Sequence, residues 1–153
     1  MKTIEISITR AAVFTEIVRI TSFLGFRFPV EGGDSVQSRF ERVRAAGNDS
    51  SLIERFWSAE TAALTGDLKD YVSSADYPDD EYYILLSVSG SYDDSQTPSL
   101  RASIFNRLVA AILARWLRIT LPSEARSFEE EATFHLREIH RRLCHRLPPV
   151  RKP

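Results

Sequence analysis

The sequence predicts a mainly α-helical protein: a bundle of four or five helices with a small β element, built from an N-terminal strand, a hairpin around 82–97, or both. Two patterns carry this reading. Apolar residues recur every three or four positions over long stretches, the period of a helix with one buried face. Strict alternation, the period of a half-buried strand, is confined to the first residues and to a run near 82–89. The composition, 43% hydrophobic and 27% charged, excludes disordered and low-complexity classes. A chain of 153 residues can bury a core without disulfide or metal staples. One helical domain is expected over 1–147, followed by a basic, proline-containing tail at 148–153.

The elements follow in order. Ile4, Ile6 and Ile8 alternate with Thr3, Glu5 and Ser7, which reads as a short strand. Thr9 can cap a helix over 10–24, with Val13, Ile17, Ile20 and Leu24 on one face and Gly25 as the C-cap. Pro29, Gly32 and Gly33 mark a linker, and Ser35 to Ala46 reads as a short charged helix. Ser51 and Glu54 have capping-box spacing ahead of a helix carrying Leu52, Ile53, Phe56, Trp57, Ala63 and Leu64. Gly66 is expected to interrupt it, with Leu68, Tyr71 and Val72 continuing after the break, and residues 73–81 read as an acidic loop. Residues 82–89 are rich in strand formers. Their partner is the N-terminal strand, a return strand near 90–97, or a neighbouring subunit. Pro98 and Ser99 open the strongest helix, with Leu100, Ile104, Leu108, Ile112 and Trp116 four apart. Pro122 breaks this pattern, and Ser123 is expected to cap a last helix bearing Phe128, Ala132, Leu136, Ile139 and Leu143, which Pro148 and Pro149 stop. Helices 51–65, 98–118 and 124–146 are expected to form the central packing.

The net charge is only −1, with no global basic excess of the kind a nucleic-acid coat would carry. The charge is unevenly placed. Residues 60–96 hold nine acids against one base, net −8, whereas 137–153 hold six bases against one acid, net +5. Three uses compete: polyanion binding by the basic end, head-to-tail contact between acidic and basic regions of adjacent copies, or plain solvated surface. The lone Cys144 excludes an intrachain disulfide. No uncharged signal-like run opens the chain, and the longest apolar stretch, 108–114, is too short to span a bilayer. A soluble intracellular protein is expected.

Candidate chemistry is thin. His140 and Cys144 share a helix face and are zinc-ligand types, but two further ligands are missing, so a half-buried cysteine on a helix surface is the plainer reading. Asp79, Asp80 and Glu81 flank the strand near 82–89 on one side and Asp93 and Asp94 on the other; these carboxylates suit a divalent cation, though solvated loop tips are commoner. Glu31-Gly32-Gly33-Asp34 lacks the spacing and the lysine of a phosphate loop, and no GxSxG elbow is present. Trp57 and Trp116 lie on apolar stripes and read as core. No catalytic residue, cofactor or metal is expected.

The helix Asp49-Ser50-Ser51-Leu52-Ile53-Glu54-Arg55-Phe56-Trp57, continuing through Ala59, Ala62 and Ala63, resembles a helix of the head–tail connector (adaptor, or neck) proteins of tailed bacteriophages. The β element and the proline-initiated helix from Pro98 through Trp116 follow in the order seen in that family. The resemblance covers 49–72 and 82–118; the N-terminal strand and the helix after Ser123 have no counterpart in it. It implies a non-catalytic ring subunit of the virion neck, assembled in the host cytoplasm. The implied partners are copies of itself and portal, tail or stopper proteins, with DNA passing the lumen unbound and no membrane contact. On that reading Tyr92, Asp93 and Asp94 reach a neighbouring subunit or the portal, and Arg141, Arg142, Arg146, Arg151 and Lys152 dock on an acidic ring. The alternatives are a nucleic-acid-binding module on the basic last helix, or a tail-completion protein.

Overall fold

The computed structural model describes residues 1–27, 45, 50–76 and 80–151. It is mainly helical with a small antiparallel sheet, as the periodicities predict. In chain order the elements are β1 (Lys2–Thr9), α1 (Arg10–Arg27), α2 (Ser50–Asp67), β2 (Val72–Asp76), β3 (Glu81–Val88), a 3-10 turn (Asp94–Gln96), α3 (Thr97–Thr120) and α4 (Pro122–Leu143). The expected helix at Ser35 to Ala46 lies outside the described residues, apart from Ala45.

The sheet order is β1-β3-β2, antiparallel throughout. Alternation sets its register. Ile4 faces Leu86, Ile6 faces Ile84 and Ile8 faces Tyr82, so one buried face is built from both strands. The N-terminal strand is thus a partner of β3. Residues 90–97 supply no return strand; they turn, and Asp94–Gln96 form the 3-10 helix. The second partner is β2, within residues expected to be helix and loop. Gly66 does not interrupt α2, which runs on to Asp67. The chain then turns at 68–71, where Val72 N–H donates to Leu68 O at 3.0 Å, and enters β2. A bulge between Val72 and Ser74 interrupts the β2–β3 ladder, and Ser73 there donates its hydroxyl to Leu85 O at 3.1 Å.

Thr9 lies at the start of α1, and its Oγ1 accepts from Ala12 N–H at 3.4 Å. Gly25 does not end this helix, which continues to Arg27 with Gly25 buried inside it. Thr21 is fully buried, and its hydroxyl donates to Ile17 O at 2.8 Å while accepting from Ala45 N–H at 3.0 Å. No buried polar atom is stranded there. α2 begins at Ser50, one residue before the expected cap. It meets α1 through Phe14 and Trp57, edge to face at 6.4 Å, and meets β3 through Thr65 Oγ1 and Tyr82 OH at 2.8 Å.

α3 is the hub. Leu100, Ile104, Leu108, Ile112 and Leu117 are fully buried, and Trp116 nearly so. It packs against α4 most extensively, and also against α2, α1 and β1. The expected three-helix centre is therefore organised around α3, with α1 and the sheet completing it. α3 ends at Thr120, just ahead of Pro122 as expected; Pro122 is itself the first residue of α4, and Leu121 occupies the cap position expected for Ser123. Ala132, Ile139 and Leu143 are buried along the predicted stripe, with Phe128 and Leu136 half-buried. α4 ends at Leu143, ahead of Pro148, because the chain turns back toward the loop after β3.

Candidate functional site

That return defines the first candidate site. Tyr92 and Arg146 form an isolated antiparallel bridge. Leu147 N–H donates to Ser91 O at 2.9 Å, and Asp93 N–H donates to His145 O at 3.4 Å. The acidic loop and the basic end, two regions whose sequence also suits contact between copies, therefore meet within one chain. The His145 ring lies 3.5 Å from the Asp93 carboxylate. Asp93 caps the 3-10 turn by accepting from Ser95 N–H at 3.0 Å, and this interaction with Ser95 holds its carboxyl below the ordinary value, with His145 adding to the effect. Asp94 is ion-paired with Lys2.

The predicted contact residues divide accordingly. Tyr92 is 1% exposed, a core residue and not a surface contact. Arg141 pairs with Glu138 one turn earlier, and this bond lowers the Glu138 pKa and raises that of Arg141. Arg142 donates to Gln96 Oε1 at 3.0 Å, tying α4 to the 3-10 turn. Arg146 and Arg151 are exposed. Lys152 lies outside the described residues. Leu147 and Val150 are exposed apolar side chains beside these bases, 55% and 90% accessible, on a tail whose backbone is anchored at 145–147.

The zinc-type pair is placed otherwise than a metal site needs. Cys144 is exposed, its Sγ 3.3 Å from Tyr71 OH, and the His140 ring lies 6.2 Å from that of Tyr71. Among the described residues no group of three His, Cys, Asp or Glu is placed to hold a metal. The two acidic clusters flank β3 at opposite ends, about 20–25 Å apart at the usual rise per residue, too far to share a cation. Glu81 instead accepts from the Ser7 hydroxyl, and Asp79 lies outside the described residues.

Comparisons with protein-family models, curated proteins and solved structures found no match to this chain.

One cluster escaped the sequence reading. Glu60 on α2 is buried, and both of its carboxylate oxygens are used: Oε2 accepts from Arg107 at 3.0 Å and Oε1 from Arg115 Nε at 2.5 Å, both on α3. Arg107 is also buried, and its guanidinium lies 3.8 Å from Asp67. The signal was present in the periodicity. Glu60 continues the stripe of Ile53, Trp57 and Leu64, and Arg107 continues that of Leu100 and Ile104. A charge on the apolar face of each of two helices calls for a partner of opposite sign. No described helix is long and apolar enough to cross a membrane.

Proposed function

We propose that this chain is a non-catalytic assembly subunit, and that its setting is the neck of a tailed bacteriophage, as a connector or adaptor protein. The observation that carries the assembly reading is the anchored tail. Its backbone is bonded to the loop after β3, which fixes where it leaves the fold. Its exposed side chains join apolar Leu147 and Val150 to basic Arg146 and Arg151. Exposed large apolar residues rimmed by charge suit a protein partner, and prior anchoring lowers the entropy cost of docking. The phage setting rests on the order of helices described above.

The acidic region contributes in two ways. Asp93 and Asp94 are engaged within the fold, where they stiffen the tail's platform. Asp70, Asp76 and Asp80 remain exposed and supply negative surface that meets a basic partner or repels DNA from a ring lumen. The test follows the chain through a density gradient of lysate from producing cells, by immunoblot. Migration with virion or tail particles, lost on Leu147→Asp together with Val150→Asp, is the expected result. A chain that stays at the top of the gradient contradicts the reading. Migration that nuclease abolishes transfers the function to nucleic-acid binding by the basic last helix.

A further inference from the structure

The Glu60 cluster opens onto a cleft of about 330 Å³ between α2, α3 and α4. Its floor holds alanines, Ala111 from α3 and Ala132 from α4, where larger side chains would close the space. Its polar wall carries Arg107, Arg115 and Arg118 together with two carboxylates, Glu60 and Glu129, and Asp67 adds a third carboxylate 3.8 Å from Arg107. The volume lies at the small end of the range for ligand sites.

The three arginines are not equivalent. Arg107 is buried and spent on Glu60 and Asp67. Arg118 is paired with Glu129 across the α3–α4 seam. Arg115 binds Glu60 through Nε alone, and its guanidinium is steadied by the Phe56 ring at 6.0 Å. Among the described residues nothing pairs with the two terminal nitrogens of Arg115. A guanidinium held by its inner nitrogen presents its outer pair as a fixed fork, the geometry that receives a carboxylate or phosphate through two parallel hydrogen bonds. Glu60 thus acts as an internal counter-ion that orients the fork before any ligand arrives.

We propose that this cleft is an oxyanion-binding site. The Arg115 fork takes the carboxylate or phosphate head of a ligand, and the alanine floor takes a slim apolar body. The ligand is a small organic anion; the one other source of the same head group is an acidic side chain of a second copy. The site is independent of the tail and stands whether or not the assembly reading does.

The test is a titration of the full chain with benzoate, acetate and inorganic phosphate at constant ionic strength, read from amide chemical shifts against a chloride control. Saturable changes at Ala111, Ala132 and Thr133 are expected, with benzoate tighter than acetate because only benzoate fills the floor. Arg115→Ala should weaken binding about tenfold or more, the worth of a charged hydrogen-bond pair. Arg115→Lys keeps the charge but loses the fork and should also weaken it. A dilution series without ligand assigns the source. Concentration-dependent shifts at the same amides mean that a second copy supplies the carboxylate, and their absence means a small molecule. Shifts no larger than those in chloride, or unchanged in both Arg115 variants, overturn the proposal.

Discussion

Tyr92 and Arg146 pair as a single antiparallel bridge that fastens the end of the chain to the loop after β3. The ring of Tyr92 is buried beneath this strap, with its hydroxyl 3.5 Å from Thr97 Oγ1 at the start of α3. Tyr92→Ala should therefore destabilise the fold by about 3–5 kcal/mol, as for other buried aromatic deletions. Leu147→Pro keeps the extended backbone that Arg146 needs but removes the N–H bonded to Ser91 O, and should cost about 1 kcal/mol. Urea unfolding of the two variants checks both values. A Tyr92→Ala variant as stable as the parent would show that the ring does not hold the strap to the core.

Glu60→Ala should be among the most damaging single polar substitutions in the chain. It leaves Arg107 buried and without its principal partner, a loss of about 3–5 kcal/mol for a broken buried pair. Replacing Glu60 and Arg107 together by methionine should recover most of that loss, because the cost lies in the unpaired charge and not in the missing attraction. Chemical denaturation of the single and double variants measures the coupling.

Leu108 lies in the middle of the α3 stripe with no exposed surface. Leu108→Ala should cost about 2–5 kcal/mol, and Leu108→Asp should unfold the protein by placing an unpaired carboxylate in the core. A folded, soluble Leu108→Asp chain by circular dichroism would contradict the assignment of α3 as the hub.

The Asp93 carboxyl is held below its ordinary value, first by Ser95 and then by His145. A depressed carboxylate contributes stability that is complete above its unfolded pKa and is lost as the pH falls through the folded one. The cap on the 3-10 turn should thus persist through mild acid and fail only below pH 3.8, the ordinary value for this group. An NMR titration of the Asp93 side-chain carboxyl should show a midpoint under that value. Asp93→Asn should abolish the corresponding step at the Ser95 amide.

Charge reversal of Arg141, Arg142 and Arg146 should weaken assembly and increase its salt sensitivity, by removing positive charge beside the docking tail. Arg142 also holds Gln96, so Arg142→Glu should cost some stability as well, whereas Arg141→Glu, on an exposed pair with Glu138, should leave the melting temperature nearly unchanged. Sedimentation velocity of the partner complex at low and high salt separates the two effects.

The long amphipathic helices and the β1–β3 pair were legible because each has one strong period and a continuous buried face. β2 was not. Val72-Ser73-Ser74-Ala75-Asp76 is polar, lies at a sheet edge and is bulged, so little side-chain burial marks it. Gly66 read as a breaker, yet nothing crowds it and the helix absorbs its modest entropic cost. Pro122 correctly marked the end of α3, but the next helix starts on the proline itself, where its missing N–H costs nothing, and not after a Ser123 cap. The charge polarity was legible, but not its pairing within the chain. The Asp93–His145 and Tyr92–Arg146 contacts join residues about 50 positions apart, and only the turn after Leu143 brings them together. The same distance in sequence hid the Glu60–Arg107 pair.

Docking of this chain onto a protein assembly through its anchored, apolar and basic tail is open to direct test. The most direct measurement is a pull-down of the tagged chain from its native producing cell, with and without nuclease, read by mass spectrometry. Portal, tail or stopper proteins that survive nuclease and are lost with the Leu147→Asp, Val150→Asp double variant are the expected result. Recovery of nucleic acid alone, or of partners that vanish on nuclease treatment, would contradict it.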